Sequence, residues 1–167
     1  MKAARERRFR VIADEATPPV AAYIRRRIYP LNFADVDDLI EEVLIIAWRR
    51  LDDIPSGAEV PWLIGVARNV LRNAHRKFRR GEIAASRMTP PHHDSSAEEN
   101  VIADEGVRIA LAALGDDDRD IVLLHAWDGR SVAEIGMILG VTTNAAGVRL
   151  SRAQERFRKN FASISVD

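Results

Sequence analysis

The sequence predicts an all-α protein of two small helical domains joined by a flexible linker, and three observations carry that prediction. Apolar residues recur at i, i+3, i+4, i+7 through residues 36–80, the period of helices that bury one face. The pattern dissolves from Glu82 to Asp104, EIAASRMTPPHHDSSAEENVIAD, where paired prolines, paired serines and net negative charge read as a linker. It resumes after Glu105 and runs into a helix, a glycine turn and a basic helix. The expected divisions are 1–81, 82–104 and 105–167.

At the start, Phe9 to Ala16 and Val20 to Ile28 read as two packing helices broken by Thr17-Pro18-Pro19. Ala21, Ile24 and Ile28 of the second point inward, and Arg25, Arg26 and Arg27 outward. Tyr29-Pro30-Leu31-Asn32 is a turn, since the residue before proline is pushed out of the helical region.

ADVDDLIEEVLIIAWRRL then opens with aspartates suited to an N-cap and to the positive end of a helix dipole. Val36, Leu39, Ile40, Val43, Leu44, Ala47 and Leu51 form its core stripe. Ile45, Ile46 and Trp48 widen the apolar surface beyond one stripe. Either this helix lies deep in a bundle, or part of its surface is kept for a partner, with Asp38, Glu41 and Glu42 as the rim. Trp48 and Trp62 read as core anchors. DDIPSGAEV is a loop.

Pro61 to Arg80, PWLIGVARNVLRNAHRKFRR, is a helix with two different faces. Leu63, Val66, Ala67, Val70, Leu71, Ala74 and Phe78 are apolar. Asn69, Arg72, Arg76 and Arg79 repeat on the other side, joined by Arg68, His75, Lys77 and Arg80, with no acid in the stretch. A merely solvated helix carries i, i+4 pairs of opposite sign, so this face suits phosphate. Pro61 is a pre-set N1 residue and Gly81 a C′ stop.

In the second domain Val107, Ala110, Leu111 and Leu114 give a first helix, and Asp116-Asp117-Asp118 caps a second through Ile121, Val122, Leu124 and His125. Ser131 and Glu134 form a capping box for VAEIGMIL, which ends at Gly140-Val141. The last helix, from Thr142 or Thr143 to about Asn160, is polar at Asn144, Arg149, Arg152, Gln154, Arg156, Arg158 and Lys159, while Val148, Leu150 and Phe157 are available for packing. Turn chemistry and charge favour a DNA-reading helix-turn-helix over a plain hairpin.

The charges balance overall at 25 of each sign, but residues 1–81 carry 16 basic and 11 acidic residues and 82–106 carry one and six. A basic working surface tied to an acidic connector follows. The absence of cysteine excludes disulfides, thiolate catalysis and cysteine zinc sites. His92-His93-Asp94 is not a metal site, because adjacent histidines cannot converge on one ion from a regular element. No nucleophile with a placed base, phosphate loop or ligand set is legible, so neither an enzyme nor a cofactor is expected. The expected location is the cytoplasm, with no membrane insertion: no apolar run is long enough to span and the start lacks a signal-peptide core.

Three ordered segments carry a family resemblance. DVDDLIEEVLIIAWRRLD resembles the polymerase-binding helix of domain two of bacterial extracytoplasmic function (ECF) sigma factors, of the sigma-70 family. PWLIGVARNVLRNAHRK resembles its promoter-melting helix, and LGDDDRDIVLLHAWDGRSVAEIGMILGVTTNAAGVRLSRAQERF the domain four helix-turn-helix. The resemblance implies binding to core RNA polymerase, through the clamp helices of the largest subunit and the flap of the second-largest, and delivery to promoter DNA. Asp38, Leu39, Glu41, Glu42 and Ile46 would dock on the clamp. Asn69 matches the family asparagine of the minus-ten helix, with Arg72, Arg76, Arg79 and Arg80 on backbone phosphate. Thr142, Thr143, Asn144, Arg149 and Arg152 would read the minus-thirty-five element. An anti-sigma factor is an implied partner.

Several positions depart from the family pattern. Glu41 stands where glutamine is common, Ala145 and Gly147 where threonine and lysine contact DNA, Gln154 where a basic residue is usual, and the loop DDIPSGAEV lacks an aromatic. A sigma-like decoy, an anti-sigma-binding module and a stand-alone helix-turn-helix regulator are the alternative readings.

Overall fold

A computed structural model of the chain describes residues 1–81 and 104–164, and among these every regular element is helical. The chain divides into two compact units, Met1–Pro91 and His92–Asp167. The expected linker, Asp104 excepted, and the His92-His93-Asp94 run lie outside the described residues.

In the first unit α1 (Lys2–Arg26), α2 (Val36–Arg49) and α3 (Glu59–Arg79) pack on one another. The expected break in α1 is absent: Pro18 and Pro19 lie inside one continuous helix. Proline's φ fits a helix, and its cost is a missing N–H and crowding of the carbonyl four residues back. Those carbonyls belong to Asp14 and Glu15, both exposed residues, so the lost bonds fall on the solvent side of the helix and not in the core. Ile12, Ala16, Val20, Tyr23 and Ile24 are all buried on the other side, and their packing holds the helix through the prolines.

The helix also begins earlier than its apolar pattern, because arginines tie its first turns to the α2–α3 connection. Arg5 donates to the Trp48 carbonyl (3.0 Å) and pairs with Asp52 (2.6 Å), and Arg8 donates to the Ile54 carbonyl (2.8 Å). Ahead of α2 stands a short 3-10 turn, Phe33–Asp35. It is closed by a reciprocal box: the Asn32 side chain accepts the Ala34 N–H (3.0 Å), and the Asp35 carboxylate accepts the Asn32 N–H (3.1 Å). The aspartate expected to cap α2 therefore caps the turn before it.

Pro61 is the third residue of α3 and not the first, still within the first turn, where the absent N–H has no intrahelical partner to lose. Gly81 stops the helix as expected, with φ 77° and its N–H on the Phe78 carbonyl (3.0 Å).

The second unit packs α4 (Glu105–Ala112), α5 (Asp116–Ala126) and α6 (Val132–Leu139) on the long α7 (Thr143–Ile164). Asp104, the last residue assigned to the linker, caps α4 by accepting the Gly106 N–H (2.8 Å). Just inside that cap, Arg108 hydrogen-bonds the Glu105 carboxylate and holds its pKa below the ordinary value. Gly115, not an aspartate, is the N-cap of α5, and Asp116, Asp117 and Asp118 line its first turn. Trp127, at its C-terminal end, is half-buried. The Ser131–Glu134 capping box and the left-handed Gly140 (φ 69°) form as expected.

Two other glycines of this unit have opposite roles. A Cβ on Gly136 would sit 3.0 Å from the Val141 carbonyl, because the turn folds back over α6 and Val141 donates to the Gly136 carbonyl (2.9 Å). A Cβ on Gly147 would meet only Val132 Cγ1 at 3.5 Å, an ordinary contact. Gly136→Ala should therefore lower stability by about 1–3 kcal/mol through overpacking, and Gly147→Ala should raise it by roughly 0.5–1 kcal/mol through helix propensity. Thermal melts of the two variants should move in opposite directions; a common direction would refute this assignment.

Candidate nucleic-acid interface

The orientation of α3 is set by its buried side. Leu63, Ile64, Ala67, Val70 and Leu71 are all 3% exposed or less, and Ile64 joins the expected stripe because α3 packs against both α1 and α2. Opposite them Asn69, Arg72, Arg76, Arg79 and Arg80 are exposed, as are Asn73 and Lys77. From Asn69 to Arg80 the row covers about 16 Å of helix, enough to pass four or five phosphates at about 3.4 Å per nucleotide. Glu59 is the only acid of the helix, and it sits at the far end with its carboxylate on the Gly57 N–H (3.0 Å). The cations of the last turn also complement the helix dipole, which accounts for part of their placement but not for Asn69 or Arg72.

Exposure on α2 decides between the two readings left open by its wide apolar surface. Val36, Leu39, Val43 and Ala47 are buried, whereas Ile45 is 49% and Trp48 36% exposed. The helix is therefore not enclosed. Asp38, Glu41, Glu42, Ile45, Trp48 and Arg49 make one exposed strip, acidic in its first half and apolar in its second. Of the clamp-docking candidates, Asp38, Glu41 and Glu42 lie on this strip and Ile46 at its half-buried flank. Leu39, at 7% exposure, points into the bundle, because its position in the period faces the other helices. Ile45, one of the residues that widen the apolar surface, lies four positions after Glu41 and three after Glu42 and completes the strip.

Trp48 is likewise not the core anchor expected of it. Phe9 meets its ring edge-on at 5.3 Å between centroids, and Arg5 lies 5.4 Å from its centroid, so the indole is half-covered by α1. Trp62 is half-buried under the Arg50 guanidinium at 5.3 Å.

In the second unit α7 is fixed from below and open above. Ala146, Leu150 and Ala153 are buried, Arg156 pairs with Asp118 of α5 (2.6 Å), and Asn160 donates to the Ala110 carbonyl (3.3 Å). Thr142 Oγ1 accepts the Ala145 N–H (3.1 Å), so this residue caps α7 while its own hydroxyl proton stays available to an acceptor. Thr143, Asn144, Arg149 and Arg152 are exposed beside it. A helix N-terminus carrying hydroxyls, followed by arginines, is suited to phosphate and base edges. Val148, expected to pack, is 42% exposed instead.

Comparison with known proteins places these surfaces in a family. Residues 13–81 match the family model for sigma-70 region 2, and residues 107–156 that for sigma-70 region 4. CarQ of Myxococcus xanthus, an RNA polymerase sigma factor, is 28% identical over 90% of this chain and 87% of its own length. The "Probable RNA polymerase sigma factor RfaY" of Xanthomonas campestris is 33% identical over 76% of this chain, which spans 34% of that longer protein. The sigma factor RpoE of Bartonella quintana, solved in complex with the anti-sigma factor NepR, shares the fold. Its TM-score is 0.61 at 20% identity, over 97% of both chains.

Proposed function

This chain belongs to the ECF group of the sigma-70 family, and from that premise we propose that it binds core RNA polymerase and directs promoter-specific initiation of transcription. The observation that carries the reading is the order of the two family matches, region 2 then region 4, on two compact units that each expose a cationic helix.

In this reading residues 1–81 serve the polymerase clamp and the minus-ten element, 82–104 thread the polymerase near the RNA path, and 105–167 serve the minus-thirty-five element. The strip of Asp38, Glu41, Glu42 and Ile45 meets the clamp helices of the largest subunit, with Ile46 at its edge and Leu39 supporting it from beneath. An apolar patch with a charged rim suits a helix-docking contact. Asn69 holds an extruded base of the non-template strand while Arg72, Arg76, Arg79 and Arg80 meet phosphate. Opening the duplex costs a few kcal/mol per unstacked base, and capture of base and strand offsets it. The N-terminal end of α7 enters the major groove, and the second unit rests on the flap of the second-largest subunit. The complex of the similar Bartonella chain supports an anti-sigma partner here as well.

Run-off transcription with core polymerase on a genomic library tests the reading and returns the promoter sequence. Polymerase binding with no transcript would instead identify a decoy. On a promoter so found, Arg149→Glu with Arg152→Glu should erase the upstream footprint and reduce the salt dependence of binding by about two log units per log unit of salt. Unchanged upstream protection would reject the docking of α7.

A further inference from the structure

The outward midline of α7 is apolar at its centre. Ala146, Leu150 and Ala153 face the unit's core, and at 100° per residue Val148 lies almost diametrically opposite them. It is 42% exposed, with Asn144 one turn before it and Ser151 and Arg152 one turn after, all exposed. Polar and cationic groups thus frame an isopropyl group on the face where a docked helix meets the groove floor.

The side chains around it leave Val148 the central reading position. Ala145 and Gly147, its neighbours, carry no side-chain hydrogen-bonding group that could compete with it for a base edge. Further along, Glu155 is taken up by Arg158 (3.4 Å) and Lys159 (3.8 Å). In the major groove the one apolar feature of a base edge is the C5-methyl of thymine, which side chains recognise by contact rather than by hydrogen bonding.

We propose that Val148 is a specificity-determining residue that reads the C5-methyl group of a thymine in the upstream promoter element. The inference rests on the major-groove docking of α7 proposed above. It assigns direct readout to an apolar contact, with Arg149, Arg152 and the α7 N-terminus positioning the helix on phosphate.

The test uses holoenzyme assembled from core polymerase and the full chain, on a promoter selected from a randomised upstream library. Each upstream thymine is replaced in turn by deoxyuridine, which removes only the methyl group. At one position the wild-type holoenzyme should lose roughly four-fold in affinity, the worth of about one buried methyl group. Val148→Ala, exposed and helix-compatible, should bind the thymine promoter more weakly and show less than about a two-fold response to uracil at that position. Val148→Ser should behave alike. Specific initiation with no uracil-sensitive thymine, or with sensitivity unchanged in Val148→Ala, overturns the inference and leaves the sigma-factor reading standing. Failure of the wild-type chain to give any promoter-dependent transcript overturns both.

Discussion

Replacing Arg76 and Arg79 together with glutamate should abolish open-complex formation while leaving affinity for core polymerase nearly intact. Both side chains are exposed on α3, on the side away from Val70 and Leu71, so the substitution touches no core contact. The loss of two cations near a helix C-terminus costs about 0.3–1 kcal/mol each, which a folded unit tolerates. The DNA-facing surface suffers far more, because two phosphate partners become two repelling charges. Binding of the melted strand should fall by orders of magnitude, and the reactivity of unpaired thymines near the start site should vanish. Polymerase affinity, carried on α2 in this reading, should change less than about two-fold. Equal loss of both activities would reject the separation of α2 and α3 into docking and melting surfaces.

Arg119→Ala should produce a large loss of stability in the second unit, although the residue lies outside its apolar core. The half-buried guanidinium donates to the carbonyls of Leu111 (2.9 Å), Ala112 (3.1 Å) and Leu114 (2.8 Å), while also reaching Asp116 (3.4 Å). It thereby collects the orphan carbonyls at the end of α4 and ties them to the first turn of α5. Charge-assisted bonds of this type are worth about 1.5–3 kcal/mol each at best, and partial exposure reduces the sum to roughly 2–3 kcal/mol. In a unit this small the midpoint of thermal unfolding should fall by about 10 °C or more. Arg119→Lys should not restore it, since a point charge cannot address three carbonyls in a fan. A shift of only a degree or two would show that water satisfies the carbonyls equally well. The importance of Arg119 was hidden in the sequence, where DDDRD reads simply as a charged helix start.

Legibility followed the reach of each signal. The capping box at Ser131 and Glu134, the left-handed Gly140, the Gly81 stop and the exposed row from Asn69 to Arg80 depend on neighbours within a turn or two, and the sequence displays such neighbours directly. The errors have a common cause in distant contacts. Pro18 and Pro19 failed to break α1 because the buried side from Ile12 to Ile24 is held by two other helices. Trp48 looked like a core residue by size and polarity, yet α1 covers it only in part, through residues such as Phe9 and Arg5, and it stays 36% exposed. Val148 was expected to pack and is exposed, whereas Leu39 is buried as its place in the core stripe of α2 predicts.

By itself, then, the sequence determined that the chain is helical, where most of its helices stop, that one face of α3 is cationic with no acid between Pro61 and Arg80, and which family its ordered motifs resemble. Periodicity and capping are local, and a helix face with arginines but no acid needs no partner to be visible. Only the tertiary structure decided which apolar residues are covered and which are left over for something else. Whether Ile45, Trp48 or Val148 faces solvent depends on whether another helix arrives at that face, and that arrival is fixed by residues dozens of positions away.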